Sequence, residues 1–455
     1  MRKNKRVLYP FALIPLIIML FLFGWFFTIV FEGEIPSVTF QPLPEFLSGG
    51  QKFTFQISDM KRGLNQLKVN VKQGGREITL LEKKFPFVGL LNREGVHFYE
   101  QEIILDPSEL KLAQGRVDLS IMVWDYSRRG GGDGNMAVAQ HKMIVDTIPP
   151  SLRAITRMHN INQGGACLII YQASSDAQES GVFINDLFFP GFPVKEASQK
   201  GLHVCYFAVP YDAGLNPSVY LRAKDRAGNL SEATFYHHIR KKRFREDRIN
   251  ITDNLLTRIL PYFAFYPMDS EDSNIKKYLK INNDLRKESD QTFYELKNDT
   301  TQEALWEGPW LRMKNAANMS DFGDRRSYYY KGEKIDEQVH LGVDLASVEN
   351  SPVQAANSGR IIFAGRNGIY GLAVVLDHGQ GLASMYGHLS TIGVELHQEV
   401  KKGEIIGYTG HTGLAGGDHL HFAIIVSGIP VDPIEWWDDH WIDDNITKKL
   451  ALLSE

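Results

Sequence analysis

The chain has 455 residues, enough for about three domains, and its 43% apolar content is ordinary for folded proteins. The 50 lysine and arginine residues nearly balance the 54 aspartate and glutamate residues. Because no strong basic field results, we expect no nucleic-acid partner.

A membrane-spanning helix is predicted over residues 7–31. This run carries no charge and exceeds the ~20 residues that a helix needs to cross a bilayer. A cleaved signal peptide is the competing interpretation, which is disfavoured because the run is long and no Ala-x-Ala-like site follows it. We therefore expect a single-pass anchor in the cytoplasmic (inner) membrane, with a cytoplasmic tail over residues 1–6 and the bulk of the chain in the periplasm. Four basic residues define that tail: Arg2, Lys3, Lys5 and Arg6.

Two β modules are predicted next, over residues 35–148 and 149–240. Short alternating runs at residues 37–40, 52–57, 67–71 and 117–123 are typical of strands in a β-sandwich. An aspartate followed by Gly-Asn, which is turn chemistry, occurs once in each module. With the Asp-Thr-Ile-Pro-Pro junction at residues 146–150, these features resemble bacterial immunoglobulin-like repeats. We interpret the modules as a scaffold that sets how far the C-terminal domain extends from the membrane, in preference to a binding arm.

The only cysteines, Cys167 and Cys205, lie in strand-like stretches of the second module. A disulfide is permitted outside the cytoplasm, and two buried free thiols are the alternative. The sequence does not decide between them. Neither cysteine has an activating neighbourhood, so we expect no catalytic cysteine.

Residues 241–330 are predicted to form a helical linker. Residues 253–263 and 273–296 carry apolar residues at three- and four-residue steps, and Ser273 is a candidate N-cap. We interpret the basic cluster at residues 240–245 as a solvated face. Our hypothesis is that residues 250–300 gate a cleft, and unchanged activity after their deletion would reject it.

Residues 331–441 are predicted to be an antiparallel β domain, followed by a tail over residues 442–455. Apolar runs at residues 359–365, 372–377, 383–386 and 400–410 are bounded by glycine turns. The whole chain is therefore predicted to be mainly β.

Eight of the fourteen histidines lie between His340 and His440. His419 and His421 flank one residue of a predicted strand, so their side chains point to the same face. Alone, such a pair is more often solvated or hydrogen-bonded than metal-bound. With His340 and Asp344, however, His421 completes an N, O, N set that suits zinc with an open fourth position. His388 and His419 then remain as groups that handle protons.

The motifs of residues 328–436, taken in order, resemble the lysostaphin/LytM-type zinc endopeptidases, which cut peptide bonds in bacterial peptidoglycan. They are His340-x-Gly342-x-Asp344, Gly359…Ala364-Gly365, Asp377-His378-Gly379, Tyr386-x-His388-Leu389-Ser390, Gly407-x-x-Gly410-x-x-Gly413 and His419-Leu420-His421-Phe422.

This resemblance implies two packed antiparallel sheets with a groove that holds one Zn²⁺ per chain. It implies His340, Asp344 and His421 as the metal ligands, and His388 and His419 as the catalytic pair. Asp377 is a rival ligand, and Asp344 is preferred because it belongs to the family pattern. Ala423 stands where the family very often has Glu, which leaves the effect on the surroundings of the metal open.

The function implied is a membrane-anchored, zinc-dependent endopeptidase that hydrolyses the peptide cross-links of peptidoglycan. Its expected partners are peptidoglycan peptide stems, the cell membrane through residues 7–31, and envelope regulators. One alternative is a non-catalytic wall-binding or amidase-activator protein with the same fold, and another is a zinc peptidase acting on extracytoplasmic proteins. The bond between D-alanine and diaminopimelate is the preferred target, because an anchored protein suits its own cell's wall. The sequence leaves the bond and the oligomeric state open.

Overall fold

The structure is a computed structural model that describes residues 9–195, 200–214 and 216–454. It is mainly β, as predicted. The chain divides into two compact units, Met1–Ile148 with Arg226–Asn229 and Pro149–Asp225 with Leu230–Glu455. The predicted cytoplasmic tail, residues 1–6, lies outside the described residues.

The first unit begins with the helix Tyr9–Val30 (α1), which has 22 residues. Its segment Leu13–Val30 is long and apolar enough to cross a membrane. Large apolar side chains along it are exposed, such as Phe21 at 74%. The helix fits a transmembrane anchor or a signal segment, and it coincides with the run predicted over residues 7–31.

Two sheets with a common hydrophobic core follow in the first unit. One has the strand order β1-β3-β6 and the other β2-β8-β7-β4-β5. Alternate residues of the predicted strands point into the core. The immunoglobulin-like assignment remains a prediction. The eight strands are Ser37–Phe40 (β1), Phe46–Leu47 (β2), Gln51–Ser58 (β3), Leu64–Gln73 (β4), Arg76–Lys84 (β5), Phe98–Leu105 (β6), Gly115–Asp125 (β7) and Met136–Val145 (β8).

The second unit opens with ten strands. They are Leu152–Ala154 (β9), Asn160–Asn162 (β10), Ala166–Ala173 (β11), Ala177–Ile184 (β12), Leu187–Pro190 (β13), Phe192–Pro193 (β14), Leu202–Ala208 (β15), Val219–Asp225 (β16), Leu230–Ala233 (β17) and His238–Arg240 (β18). Two four-stranded sheets, β14-β15-β11-β9 and β13-β12-β16-β17, account for most of them. Cys167 on β11 and Cys205 on β15 are free, buried thiols.

Residues 241–330 hold the predicted helices, but they also contain three strands. The strand Glu246–Ile251 pairs in parallel with Arg325–Tyr330, and Ala317–Ser320 pairs with the sheet of the C-terminal domain. These strands are held by pairing with strands far away in the sequence. Their own residues show no alternation of apolar and polar side chains long enough for a strand to be predicted. The elements are Glu246–Ile251 (β19), Asp253–Ile259 (α2), Asn274–Lys280 (α3), Arg286–Glu295 (α4), Ala317–Ser320 (β20) and Arg325–Tyr330 (β21). The strand Glu333–Val339 (β22) follows and pairs with β21.

The ten strands of the C-terminal domain are hydrogen-bonded into one continuous antiparallel sheet, where the resemblance implied two packed antiparallel sheets. The reason is one long strand, Leu382–Ile392, which pairs with Leu420–Val426 through its first half and with Ile405–Thr409 through its second. Besides β20, the strands are Val343–Ala346 (β23), Pro352–Gln354 (β24), Gly359–Asn367 (β25), Gly371–Asp377 (β26), Leu382–Ile392 (β27), Glu399–Val400 (β28), Ile405–Thr409 (β29), Leu420–Val426 (β30) and Ile429–Val431 (β31).

Short helices close the chain: Pro433–Trp437 (α5), Asp439–Ile442 (α6) and Lys448–Leu450 (α7). They pack on the second module, because Lys449 Nζ lies 2.9 Å from the carbonyl oxygen of Leu168 and the rings of Trp436 and Tyr206 are 6.5 Å apart. One hydrophobic core therefore runs from the second module into the C-terminal domain.

Candidate metal centre

Neighbouring strands bring the predicted ligands together. Asp344 on β23 lies directly opposite His421 on β30, and Gly387 on β27 lies opposite His421 on the other side. His340 immediately follows β22 and turns toward the same point. All three predicted ligand side chains are buried.

The donor atoms of these three residues converge. His340 Nε2 lies 2.9 Å from His421 Nδ1 and 2.9 Å from Asp344 Oδ1, and His421 Nδ1 lies 3.0 Å from Asp344 Oδ1. Donors at about 2.0–2.2 Å from a tetrahedral zinc ion are separated by roughly 3.3 Å, so the cluster has the size of one face of a zinc site.

Outer contacts hold two of the donors in place. The Nδ1–H of His340 donates to the carbonyl oxygen of Asp321 at 3.0 Å, which leaves Nε2 free to act as a ligand. Arg326 Nη2 donates to Asp344 Oδ2 at 2.9 Å, so the other oxygen faces the histidines. The second nitrogen of His421, Nε2, is buried without a hydrogen-bond partner among the described residues.

His388 and His419 lie beside the cluster, with their ring centroids 4.7 Å apart. Each donates through Nδ1 to a backbone carbonyl, His388 to Thr412 and His419 to Gly417, both at 2.8 Å. Both rings therefore keep Nε2 for chemistry at the centre. His388 adopts φ of 62°, a left-handed conformation that is strained for a non-glycine residue and often marks a functional position.

The electrostatics favour an ionised Asp344 carboxylate beside neutral His388 and His421 rings. Burial raises the pKa of the Asp344 carboxyl, but the His340 charge and hydrogen bonds from three imidazoles outweigh it and hold that pKa well below its usual range. Burial, with the neighbouring histidines, holds the pKa of His388 well below its usual value and lowers the pKa of His421 to about 4. Burial opposes protonation of His419 as well, but the hydrogen bond and charge of Asp344 outweigh it and raise its pKa. An ionised Asp344 and a neutral His421 are the protonation states in which such residues bind a metal.

Comparison with known proteins identifies this domain. Residues 338–433 match peptidase family M23. This part of the chain is an M23 peptidase domain. A stretch of 97 residues is 40% identical to the DD-carboxypeptidase/endopeptidase Mpg of Neisseria meningitidis serogroup B, and covers 21% of this chain and 22% of that protein. A stretch of 146 residues is 30% identical to the peptidoglycan DD-endopeptidase ShyA of Vibrio cholerae, and covers 32% of this chain and 33% of that protein.

Among solved structures, the catalytic domain of the antimicrobial peptidase lysostaphin from Staphylococcus simulans is similar to 32% of the chain, with 27% identity, a TM-score of 0.21 and 96% of that domain covered. The chain thus spans at most a third of the lengths of the two relatives above.

Two other polar residues of the M23 domain, Asp377 and His378, form hydrogen bonds away from the candidate metal centre. The carboxylate of Asp377, the rival ligand, accepts hydrogen bonds from Thr300 and Thr301. His378 is buried between the Ser358 carbonyl and the Ser384 hydroxyl, with a hydrogen bond to each.

Sequence reasoning missed two residues of the centre. Arg326 holds Asp344, and Tyr370 lies with its ring centroid 5.3 Å from that of His421 and donates its hydroxyl proton to Asp290 at 2.7 Å. No motif marks either residue. Arg326 follows Arg325 directly in the sequence. Only the structure, in which Arg326 contacts Asp344, distinguishes the two arginines.

Proposed function

We propose that the M23 domain is a zinc-dependent endopeptidase that hydrolyses peptide cross-links of peptidoglycan. The observation that supports this most directly is the convergence of three buried donor atoms, from His340, Asp344 and His421, on a single point. The same three residues form a group able to hold a metal ion.

The donor set fits zinc. Two imidazole nitrogens and one carboxylate oxygen are ligands that zinc accepts, and a three-residue set leaves a fourth position for water or substrate. The Nδ1 atom of His421 is the nitrogen that faces the other two donors, which supports it as the ligand atom of this ring. Bound zinc supplies Lewis-acid activation of water and of the substrate carbonyl.

His388 and His419 are proposed to move protons. Because both Nδ1 atoms donate to carbonyl oxygens, Nε2 is the nitrogen of each ring that is left to accept or donate a proton, and Nε2 of His419 lies 3.6 Å from Asp344 Oδ1. One histidine removes the proton of the attacking water and one protonates the leaving amine. Such general acid–base catalysis contributes typically about 10²–10⁴-fold to the rate.

The proposed substrate follows from the relatives. One similar protein is named a DD-carboxypeptidase/endopeptidase and another a peptidoglycan DD-endopeptidase, which favours a cross-link between two D-centres over a glycine bridge. The apolar helix α1 supports attachment to the inner membrane, with the M23 domain on the side of the wall.

The test is release of soluble fragments from purified sacculi by the full-length protein in detergent with zinc present. We expect release that a chelator abolishes, with fragments that show a cleaved cross-peptide. His421→Ala should lose both zinc and activity. His388→Ala should keep zinc and lose about 10²–10⁴-fold in rate.

A matched control is His397→Ala, because His397 is exposed and lies outside the centre. Full zinc binding with no release by the wild type would instead favour the non-catalytic activator function. Cleavage of soluble proteins without release from sacculi would favour the protein-directed peptidase.

A further inference from the structure

A cavity of about 430 Å³ lies between α4 and the sheet of the M23 domain. Its floor is apolar, formed by Met385, Ala423 and Ile425. Its other wall is the polar face of α4, including Arg286, Lys287, Asp290 and Gln291. The size is that of a small-molecule or side-chain site.

This cavity continues from the candidate metal centre. Arg286, Asp290, Leu341 and Tyr370 line both the cavity and the smaller space of about 110 Å³ around the predicted ligands. His421 and Ala423 point to the same face of β30, two residues or ~6.6 Å apart. A substrate whose cleaved bond lies at the centre therefore places its next group in the cavity.

The cavity wall carries unpaired positive charge. The Arg286 guanidinium donates only to the backbone and side-chain oxygens of Asn282, and forms no ion pair with a described residue. Lys287 is exposed and has neither a hydrogen bond nor an ion pair within the described part of the chain. Of the described residues, Asp290 is the one acidic side chain in the lining, and it already accepts a hydrogen bond from the Tyr370 hydroxyl. The lining thus has two cations against one occupied carboxylate.

The start of α4 places the side chains of Arg286 and Lys287 in the cavity wall. A π-helical turn over Ile281–Leu285 joins α3 to α4, and such turns occur frequently at functional sites. The guanidinium of Arg286 is held against this turn by the carbonyl of Asn282 at 3.1 Å and its side chain at 2.7 Å. The orientation of Arg286 is therefore set before a ligand arrives.

We propose that this cavity binds the amine-side residue of the cross-link, and that Arg286 and Lys287 recognise its free carboxylate. This inference rests on the proposed function. When D-alanine is joined to the side-chain amine of diaminopimelate, the carbon that bears the amine also bears a carboxylate. In a lysine cross-link that carboxylate is missing. The alanine methyl would leave such a cavity nearly empty, so the larger amine-side residue is the better occupant.

The first experiment measures binding without turnover. The full-length protein in detergent is titrated with L-Ala-γ-D-Glu-meso-diaminopimelate and with L-Ala-γ-D-Glu-L-Lys, which differ by one carboxylate. A charge-assisted hydrogen bond predicts that the diaminopimelate peptide binds about 10-fold more tightly. Lys287→Ala and Arg286→Lys should each shrink this ratio.

The control variant is Lys276→Ala, on α3, whose lysine is exposed, pairs with Asp272 and lies outside the cavity lining. It should leave the ratio unchanged. Equal binding of the two peptides by the wild type overturns the proposal, as does an equal loss of ratio in Lys276→Ala. Because Lys287 is exposed, its replacement leaves the packed core intact, and thermal unfolding of each variant verifies this.

The second experiment separates this inference from the proposed function. Cross-linked dimers of the two stem peptides are offered as substrates with zinc present. Lower KM for the diaminopimelate dimer, lost in Lys287→Ala, supports the inference. Hydrolysis of both dimers with equal KM overturns the subsite and keeps the endopeptidase. Discrimination in binding with no hydrolysis of either dimer overturns the endopeptidase and keeps the subsite.

Discussion

At the scale of single residues, the arginine behind Asp344 is the most informative position. The guanidinium of Arg326 holds the second carboxylate oxygen at 2.9 Å and is mostly buried. We expect Arg326→Ala to weaken zinc affinity by roughly 10–100-fold, because a ligand that loses its outer partner loses orientation. Competition with a chromogenic zinc chelator measures this directly.

Arg325→Ala is the matched control, since Arg325 neighbours Arg326 on β21 but is exposed. Its zinc affinity should equal that of the wild type. Equal affinity in both variants would show that the Asp344 carboxylate is positioned without Arg326.

The convergence of the five predicted site residues could be anticipated from the sequence, because each belongs to a short motif that places its histidine or aspartate in a strand or at its end; their roles remain a prediction. Arg326 and Tyr370 could not be found in this way. Their contacts depend on how β21 and the loop before β26 meet the ligand strands, and neither residue type is distinctive.

At the scale of elements, α4 is fastened to the M23 sheet at a glycine. Gly428 has φ of +85°, and a Cβ there would lie 2.7 Å from Tyr294 Cδ2 and 2.9 Å from the Tyr294 carbonyl oxygen. We expect Gly428→Ala to destabilise the domain by about 1–3 kcal/mol, through backbone strain and displacement of α4. Urea unfolding followed by tryptophan fluorescence measures the change.

The control is Gly416→Ala, because a Cβ at Gly416 has nothing within 4 Å and the backbone needs no positive φ. Its unfolding midpoint should match that of the wild type. A Gly428→Ala midpoint as high as the control would mean that α4 is loosely held.

The hypothesis that residues 250–300 act as a gate remains a prediction, but deletion is now a poor test of it. Phe263, Ile281, Leu285 and Phe293 share a core with the M23 sheet, so their removal would expose a large apolar face. Point variants such as Gly428→Ala loosen α4 and leave that core in place. Increased activity in this variant would support the hypothesis that α4 is part of a gate. Weaker substrate binding would instead indicate that α4 forms a wall of the binding site.

Many of the strands and helices were predictable, because apolar side chains recur at every second residue in the strands and at three- or four-residue steps in the helices. The pairing of β19 with β21 was not predictable. These parallel partners are separated along the chain by three helices, and residues of both strands pack with residues of α2 and α3 in one hydrophobic cluster that only the folded chain assembles.

At the scale of the whole second unit, the second β module is joined to the M23 domain through a buried carboxylate. Glu435 Oε1 accepts a hydrogen bond from Asn162 at 2.7 Å, and Oε2 accepts one from the backbone of Ala166 at 3.2 Å. A Cβ at Gly165 would touch the same carboxylate, at 2.6 Å. The predicted scaffold module is therefore a packed partner of the M23 domain, and their junction contains an ionisable group.

This junction should depend on pH. Burial raises the pKa of Glu435 from 4.5 to about 7, because the hydrogen bonds from Asn162 and Ala166 and the charge of Lys242 only partly compensate, and Asp432 adds to the rise. The folded protein therefore holds a proton that the unfolded chain has lost between pH 4.5 and 7, and stability falls as pH rises through this window. The cost is absent below pH 4.5 and reaches about 3 kcal/mol above pH 7.

Glu435→Gln removes the ionisation and should remove this slope. We expect the unfolding free energy of the variant relative to the wild type to rise by about 3 kcal/mol between pH 4.5 and pH 8. The glutamine amide cannot accept both existing hydrogen bonds, so the variant differs from the wild type in unfolding free energy at every pH. The test is therefore the change of this difference with pH and not its absolute size. Glu395→Gln, at an exposed glutamate of the same domain, is the control and should run parallel to the wild type. If wild type and Glu435→Gln also ran parallel, the pKa of Glu435 would be the same in the folded and the unfolded chain, and the contact between module and M23 domain would be insensitive to pH.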